Sequence, residues 1–207
     1  MTIKAKVYLV DESGPVKAMA DICYNNSIII KDVRIVQRND RNELMVQMPQ
    51  SKGIDGNIHS KVSVPVHADK FRNAVNKAVL DEYRNVLNGE RNRNNLFNLM
   101  EADNPEFVVK RSTRVNDETK SWVKAVVDIG VDNSFVIHDV LLCQAKTGQF
   151  YLKMPQKHDG VKFADRVYAV TSELQKKMTN IVQGALGAEI GEMRRVQREM
   201  GTEFVFP

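Results

Sequence analysis

The sequence predicts an α+β protein made of two copies of one module, each an antiparallel sheet followed by an amphipathic helix, the two packed as an intramolecular pseudo-dimer. The first observation is duplication. Lys17 to Gln50 returns as Lys124 to Gln156, at an offset of 107 residues that becomes 106 after one deletion. Lys17/Lys124, Ala18/Ala125, Asp21/Asp128, Ile22/Ile129, Asp32/Asp139 and Val33/Val140 coincide, as do the closing Met48-Pro49-Gln50 and Met154-Pro155-Gln156. Such a period is far longer than the roughly 20–50 residues of a solenoid repeat and has the size of a small domain. The second observation is period-two alternation through the first half of each copy, and the third is a single helical stripe after it.

The elements follow in order. Ile3 to Val10 alternates polar and apolar residues, and Ser13-Gly14-Pro15 breaks it. Val16 to Tyr24 and Ser27 to Val36 flank Asn25-Asn26, a tight hairpin turn because Asn tolerates positive φ; Asp132-Asn133 takes that place in the second copy. A turn at Asn39 to Asn42 leads to the strand Leu44 to Met48, which Pro49 ends; Phe150 to Met154, ended by Pro155, is its counterpart. A helix follows with Asp69 as N-cap, Phe71, Ala74, Val75, Ala78, Val79 and Val86 on one face, and Gly89 as its stop. The second helix opens on a capping-box pattern, Ser172-x-x-Gln175, with Leu174, Met178, Ile181, Val182 and Ala185 on its stripe. Gly184, Gly187 and Gly191 predict a weakening or bend before the basic Arg194, Arg195 and Arg198. The domain boundaries are a first module over 1–89, a linker with a docked helical turn over 90–106, and a second module with a helical extension over 107–207. One helix covers only part of a four- or five-stranded sheet, so the two modules are expected to complete each other's core.

The totals exclude several classes. The 207 residues suit two domains of this size, and 43% hydrophobic with 27% charged residues is ordinary for a globular protein. Fifteen Lys and Arg stand against thirteen Asp and Glu on each side of Pro105, so each half contributes +2 to the formal net charge of +4. This balance permits a polyanionic partner without requiring one. Cys23 and Cys143 stand alone, at non-equivalent places, and read as reduced core residues. No apolar run approaches a membrane span, and the amino terminus alternates unlike a signal sequence, so a cytoplasmic protein without membrane contact is expected.

The order Lys-Ala … Asp-Ile … apolar run … Asp-Val … Met-Pro … Asp-Gly … helix resembles the SpoVG family, the stage V sporulation (septation) regulators of bacteria. In the first copy the carriers are Lys17-Ala18, Ile28 to Val33, Arg34, Met48-Pro49, Ser51-Lys52, Asp55-Gly56 and Val64-Pro65-Val66. In the second they are Lys124-Ala125, Phe135 to Val140, Phe150, Met154-Pro155, Lys157 and Asp159-Gly160. The resemblance covers about residues 3–87 and 108–186. It implies small, dimeric α+β modules that bind DNA and RNA as regulators and catalyse nothing. Binding in that family is associated with the basic loop after the Met-Pro strand. Carried over by position, this points to Lys52, His59 and Lys61 in the first copy, to Lys157, His158, Lys162 and Arg166 in the second, and to Arg34, which stands where the family has a strand arginine. The sequence departs from the family pattern in having fewer basic residues directly after Met-Pro. Val64-Pro65 and Tyr168-Ala169 also replace the family's His-Pro pair.

Other residues invite sharper readings. His138 and Asp139 are neighbours on a strand, point to opposite faces and cannot form a dyad with each other. No serine elbow, phosphate-cradling glycine loop or metal-ligand spacing occurs, so neither catalysis nor a cofactor is expected. Arg34 serves either a phosphate or a neighbouring carboxylate. Trp122 and Tyr8, Tyr24, Tyr151 and Tyr168 either pack across strands or stack nucleobases. The sequence therefore carries two functional readings, a non-catalytic nucleic-acid-binding regulator and a protein-interaction module that kept the fold without the polyanion grip. A higher oligomer of the tandem unit stays open.

Overall fold

The computed structural model describes residues 1–10, 14–38, 43–53, 55–90, 97, 102–115, 122–158 and 160–200, with side chains to residue 188. The strands are β1 (Ile3–Leu9), β2 (Val16–Tyr24), β3 (Ile28–Arg38), β4 (Glu43–Gln47), β5 (Gln50–Lys52), β6 (Ile58–Ser60) and β7 (Val62–Ser63), followed by helix α1 (Asp69–Leu87). The second copy repeats them as β8 (Phe107–Arg114), β9 (Val123–Val131), β10 (Phe135–Gln144), β11 (Phe150–Lys153), β12 (Gln156–His158), β13 (Phe163–Asp165) and β14 (Val167–Ala169), followed by α2 (Ser172–Met200). The fold is α+β, two antiparallel sheets each followed by a helix and packed together.

The hairpin turns are where the sequence puts them. Asn25 and Asn26 have φ of 47° and 49°, and Asp132 and Asn133 have 48° and 51°. Their first side chains also cap the neighbouring strand's entry. Asn25 Oδ1 accepts the Thr2 amide at 2.7 Å, and Asp132 Oδ1 accepts the Glu106 amide at the same distance.

The sheets do not respect the sequence boundary between copies. One runs β1-β2-β3, with β4 on one stretch of the β3 edge and β14 on the other; the second runs β8-β9-β10, with β11 and β7 sharing the β10 edge in the same way. β14 pairs β3 with Tyr168 opposite Ile29, and β7 pairs β10 with Ser63 opposite Val136. Each copy thus gives its last short strand to the other's sheet, and both sheets are built from both segments. One continuous core results, in which Tyr24 of β2, Phe71 of α1 and Phe135 of β10 meet ring on ring. Burial, with Asp132 accepting its hydrogen bond at 2.8 Å, pushes the Tyr24 hydroxyl up to about 12.

The helices correct several local expectations. Ala68, not Asp69, is the N-cap of α1, and it offers no side-chain bond; Asp69 instead pairs with Arg72 one turn on. The buried stripe is Phe71, Val75, Val79 and Tyr83, so Tyr83 belongs to the core and Val86 lies at its margin. Gly89 ends the helix with φ 77°. In α2 the capping oxygen is Thr171 Oγ1, which accepts the Leu174 amide at 3.2 Å, while Ser172 already lies in the helix. Gln175 reaches the Leu152 carbonyl instead of closing a capping box. α2 continues without a break to Met200, against the expected weakening at its glycines. Gly184 and Gly187 face outward, while Val182 and Leu186 are buried beside them. The packing of those side chains offsets the roughly 1 kcal/mol that each glycine costs relative to alanine. The turn at Asn39 to Asn42, the helical turn around Leu96 to Met100 apart from Phe97, and the basic tail side chains lie outside the described residues.

Candidate functional site

The aspartates that occur twice in the sequence build the frame of the site. On β3 the inward side chains step from Ile28 and Ile30 to Val33 and Ile35; on β10 they step from Phe135 and Ile137 to Val140 and Leu142. The odd step is a β-bulge opposite β2 or β9, with Asp32 and Asp139 at φ of 60° and 57°. A short polar side chain tolerates this left-handed backbone. Asp128 Oδ1 accepts the Asp139 amide at 3.2 Å, and Asp21 accepts that of Asp32. Burial raises the Asp21 carboxyl above its ordinary value even so.

Each bulge aims its aspartate at the other copy. Lys61 Nζ lies 2.6 Å from Asp139 Oδ2 with its side chain only 16% exposed. The equivalent cation, Arg166, is 9% exposed and puts Nε 3.6 Å from Asp32 Oδ2. That is beyond hydrogen-bond reach, so the attraction is electrostatic. The main chains match as well: Lys61 and Arg166 donate to the Pro49 and Pro155 carbonyls and accept the His138 and Lys31 amides. Two of the expected phosphate-binding cations are therefore occupied in holding the copies together. Burial, with the like charge of Arg34 nearby, pulls the Arg166 guanidinium below its ordinary value despite Asp32. Arg166→Ala is expected to lower stability in urea denaturation by about 2 kcal/mol, less than a fully buried pair because Asp32 is partly exposed and keeps Lys157. Exposed Lys52→Ala should shift it by less than about 0.5 kcal/mol. Equal losses in the two variants would remove the structural role assigned to Arg166.

Apart from Arg34, the remaining candidates sit on two exposed hairpins, β5–β6 and β12–β13, each a two-stranded sheet of its own. Arg166 Nη1 donates to the Gln50 carbonyl at the root of the first hairpin, and Arg166 itself follows the second. The two hairpins therefore leave the body from one place. Lys52 is exposed on the first. His59 turns back onto Asp55, with Nε2 3.0 Å from each carboxylate oxygen, which holds the Asp55 carboxyl down to about 2. On the second hairpin Lys157 reaches Asp32 at 3.3 Å while about half exposed, and Lys162 is exposed near its turn. Half-buried Arg34 stands on β3 between Met19 and Gln47, and among the described residues no carboxylate pairs with it.

Trp122, which the sequence left ambiguous, gathers beside the second hairpin with Phe163, which sequence reasoning did not single out. Lys153 Nζ on β11 lies 5.5 Å from the Trp122 ring centroid and 6.0 Å from that of Phe163. The His158 ring packs on Phe163 at 4.7 Å. Trp122 is 41% exposed and Phe163 66%. Tyr24 is buried core, while Tyr8 and Tyr168 each have a lysine over the ring, Lys6 and Lys31, as Trp122 has Lys153.

His138 does meet an aspartate, but on the adjacent strand. Its Nδ1 is 3.2 Å from Asp128 Oδ2, and its Nε2 is 2.6 Å from Ser63 Oγ on the exchanged strand β7. Asp128 also binds Arg111 Nε at 3.0 Å and the Asp139 amide. A carboxylate shared in this way fixes the bulge and pins β7 to β10. Among the described residues no group of three His, Cys, Asp or Glu is placed to hold a metal, and no helix is long and apolar enough to cross a membrane.

Comparison with known proteins agrees with the internal symmetry. The SpoVG family model matches this chain twice, over residues 1–85 and 109–186. SpoVG of Clostridium perfringens (strain ATCC 13124) is 26% identical over 83 residues, which cover 40% of this chain and 88% of that protein. SpoVG of Caldanaerobacter subterraneus is 25% identical over 88 residues, 42% of this chain and 92% of that protein. SpoVG 2 of Listeria monocytogenes serotype 4b is 31% identical over 77 residues, 37% of this chain and 72% of that protein. Each relative is thus about one module long, whereas this chain carries two. The double match, on a fold whose two halves exchange strands, establishes that the chain belongs to the SpoVG family, as a tandem member of a group of generally non-catalytic regulatory proteins.

Proposed function

We propose that this SpoVG-family regulator binds DNA or RNA through the hairpins β5–β6 and β12–β13, without catalysing a reaction. The observation that carries the reading is the Arg166–Gln50 hydrogen bond, which ties the roots of two cation-bearing hairpins together. Lys52, Lys157 and Lys162 are the phosphate ligands in this reading, with Arg34 beneath them on β3. Lys157 exchanges Asp32 for a phosphate at little cost, because a half-exposed ion pair contributes about 0–1 kcal/mol. Lys61 and Arg166 act indirectly, by fixing where the hairpins stand. His59, held on Asp55, shapes the first hairpin.

Retardation of mixed DNA and RNA across a salt series tests the reading. Logarithmic affinity should fall linearly with logarithmic salt, and removing Lys52 and Lys157 together should lower that slope by about 2. Salt-insensitive binding, or none to either polymer, rejects it. A second reading is favoured by Ile58, Val161 and Phe163, all strongly exposed on the same hairpins. It makes the site a protein-interaction surface, and a stoichiometric protein complex that survives high salt would replace the first reading.

A further inference from the structure

The strands of the two hairpins pair in equivalent register, with a loop one residue shorter in the second, but they are unlike in chemistry. The Trp122, Lys153 and Phe163 positions of the second copy correspond to Pro15, Gln47 and Ile58 in the first. Strand pairing does not account for the difference, because the equivalent strands pair in the first copy without an aromatic ring or a lysine at those places. Nor does full burial, since 41% of Trp122 and 66% of Phe163 remain open to solvent. The second copy instead presents two exposed aromatic rings within reach of one ammonium, with His158 against the outer ring and Lys157 next in the chain.

Resting on the nucleic-acid reading above, we propose that this cluster is a stacking platform that makes the second module selective for single-stranded nucleic acid. Trp122 and Phe163 take unpaired bases on their faces, and Lys153 between them neutralises the intervening phosphate. A base has a free face only when unpaired and unstacked, so a duplex cannot use the rings, whereas its phosphates can still meet Lys52 and Lys157. Both hairpins then supply charge without regard to strandedness, and the second adds stacking. Each base stacked on an aromatic side chain contributes on the order of 1–3 kcal/mol, about tenfold or more in affinity.

The test uses the intact chain and the fact that Trp122 is its single tryptophan. A labelled oligothymidylate, an oligouridylate and a DNA duplex of equal length are titrated at low salt, following label anisotropy and tryptophan emission together. The single strands should quench Trp122 emission in step with binding, and the duplex should bind without quenching. Trp122→Ala and Phe163→Ala should each weaken single-strand binding about tenfold and leave duplex binding unchanged, while Ile58→Ala at the equivalent position alters neither. Single strands that bind by anisotropy but leave Trp122 emission unchanged overturn the platform and leave the nucleic-acid reading standing. Failure of the wild-type chain to bind any of the three overturns both. The emission change is read on the unmodified protein, so the outcome does not depend on how well a variant folds.

Discussion

Phe135→Ala is expected to lower the unfolding free energy by about 3–5 kcal/mol, the range for truncating a buried phenylalanine. Phe135 is fully buried and stacks on Phe71 with ring centroids 5.1 Å apart and planes 27° from parallel. Tyr24 meets it edge-on at 5.3 Å and 85°. The three rings come from β10, α1 and β2, that is, from both copies and both sheets. Edge-to-face and stacked pairs add about 0.5–1.5 kcal/mol beyond the area they bury, so the substitution loses ring contacts as well as volume. Because the cavity opens between the copies, the loss should fall on the cooperativity of the whole chain and not on one half. Urea denaturation followed by far-ultraviolet circular dichroism should show one transition at a lower midpoint. A loss below about 1 kcal/mol would mean that the halves are held together elsewhere.

The part of this arrangement legible in the sequence is the part written in local chemistry. Asn25-Asn26 and Asp132-Asn133 announce hairpins because few residues accept positive φ, and both turns stand where they were expected. Duplication announces two modules. The strand exchange leaves no such mark. Val62-Ser63 and Val167–Ala169 are too short to show a period, and a strand of two or three residues joins whichever edge has open backbone groups nearby. That edge belongs to the other copy, some 75 residues along the chain from Ser63.

The cations show the same limit. Lys61 and Arg166 read as members of a basic loop because a sequence lists a charge without its partner. Asp139 stands 78 residues from Lys61, and only the bulge at positive φ turns it toward that ammonium. Asp21 and Asp128 looked like repeated motif residues; their function is to accept the amide that makes the bulge. The aromatic cluster was legible only in part, for a related reason. Trp122 reads as a stacking candidate, but it precedes β9 while Lys153 lies on β11 and Phe163 on β13, and an exposed ring is indistinguishable in sequence from a packed one.

Residues 1–89 expressed alone should fold only as a dimer. In the whole chain β7 pairs with β10 and not with its own sheet, and the stretch of the β3 edge that starts at Ile28 is covered by β14. A single copy therefore has a donor strand with no edge and an edge with no donor, and Val62, now 1% exposed, would face water. A second copy resolves both defects. By the offset between copies, Val62 and Ser63 of one fragment would lie opposite Ile30 and Ile29 of the other, and Lys61 would take Asp32 in place of Asp139. The contact that is intramolecular in the tandem chain then becomes bimolecular, and stability acquires a concentration dependence. Sedimentation equilibrium should give twice the fragment mass, with a melting temperature that rises with concentration, while the full chain melts at a temperature independent of it. A folded monomer of 1–89 would show that the exchanged strand contributes little, because a module able to close its own edge has no physical need of its twin.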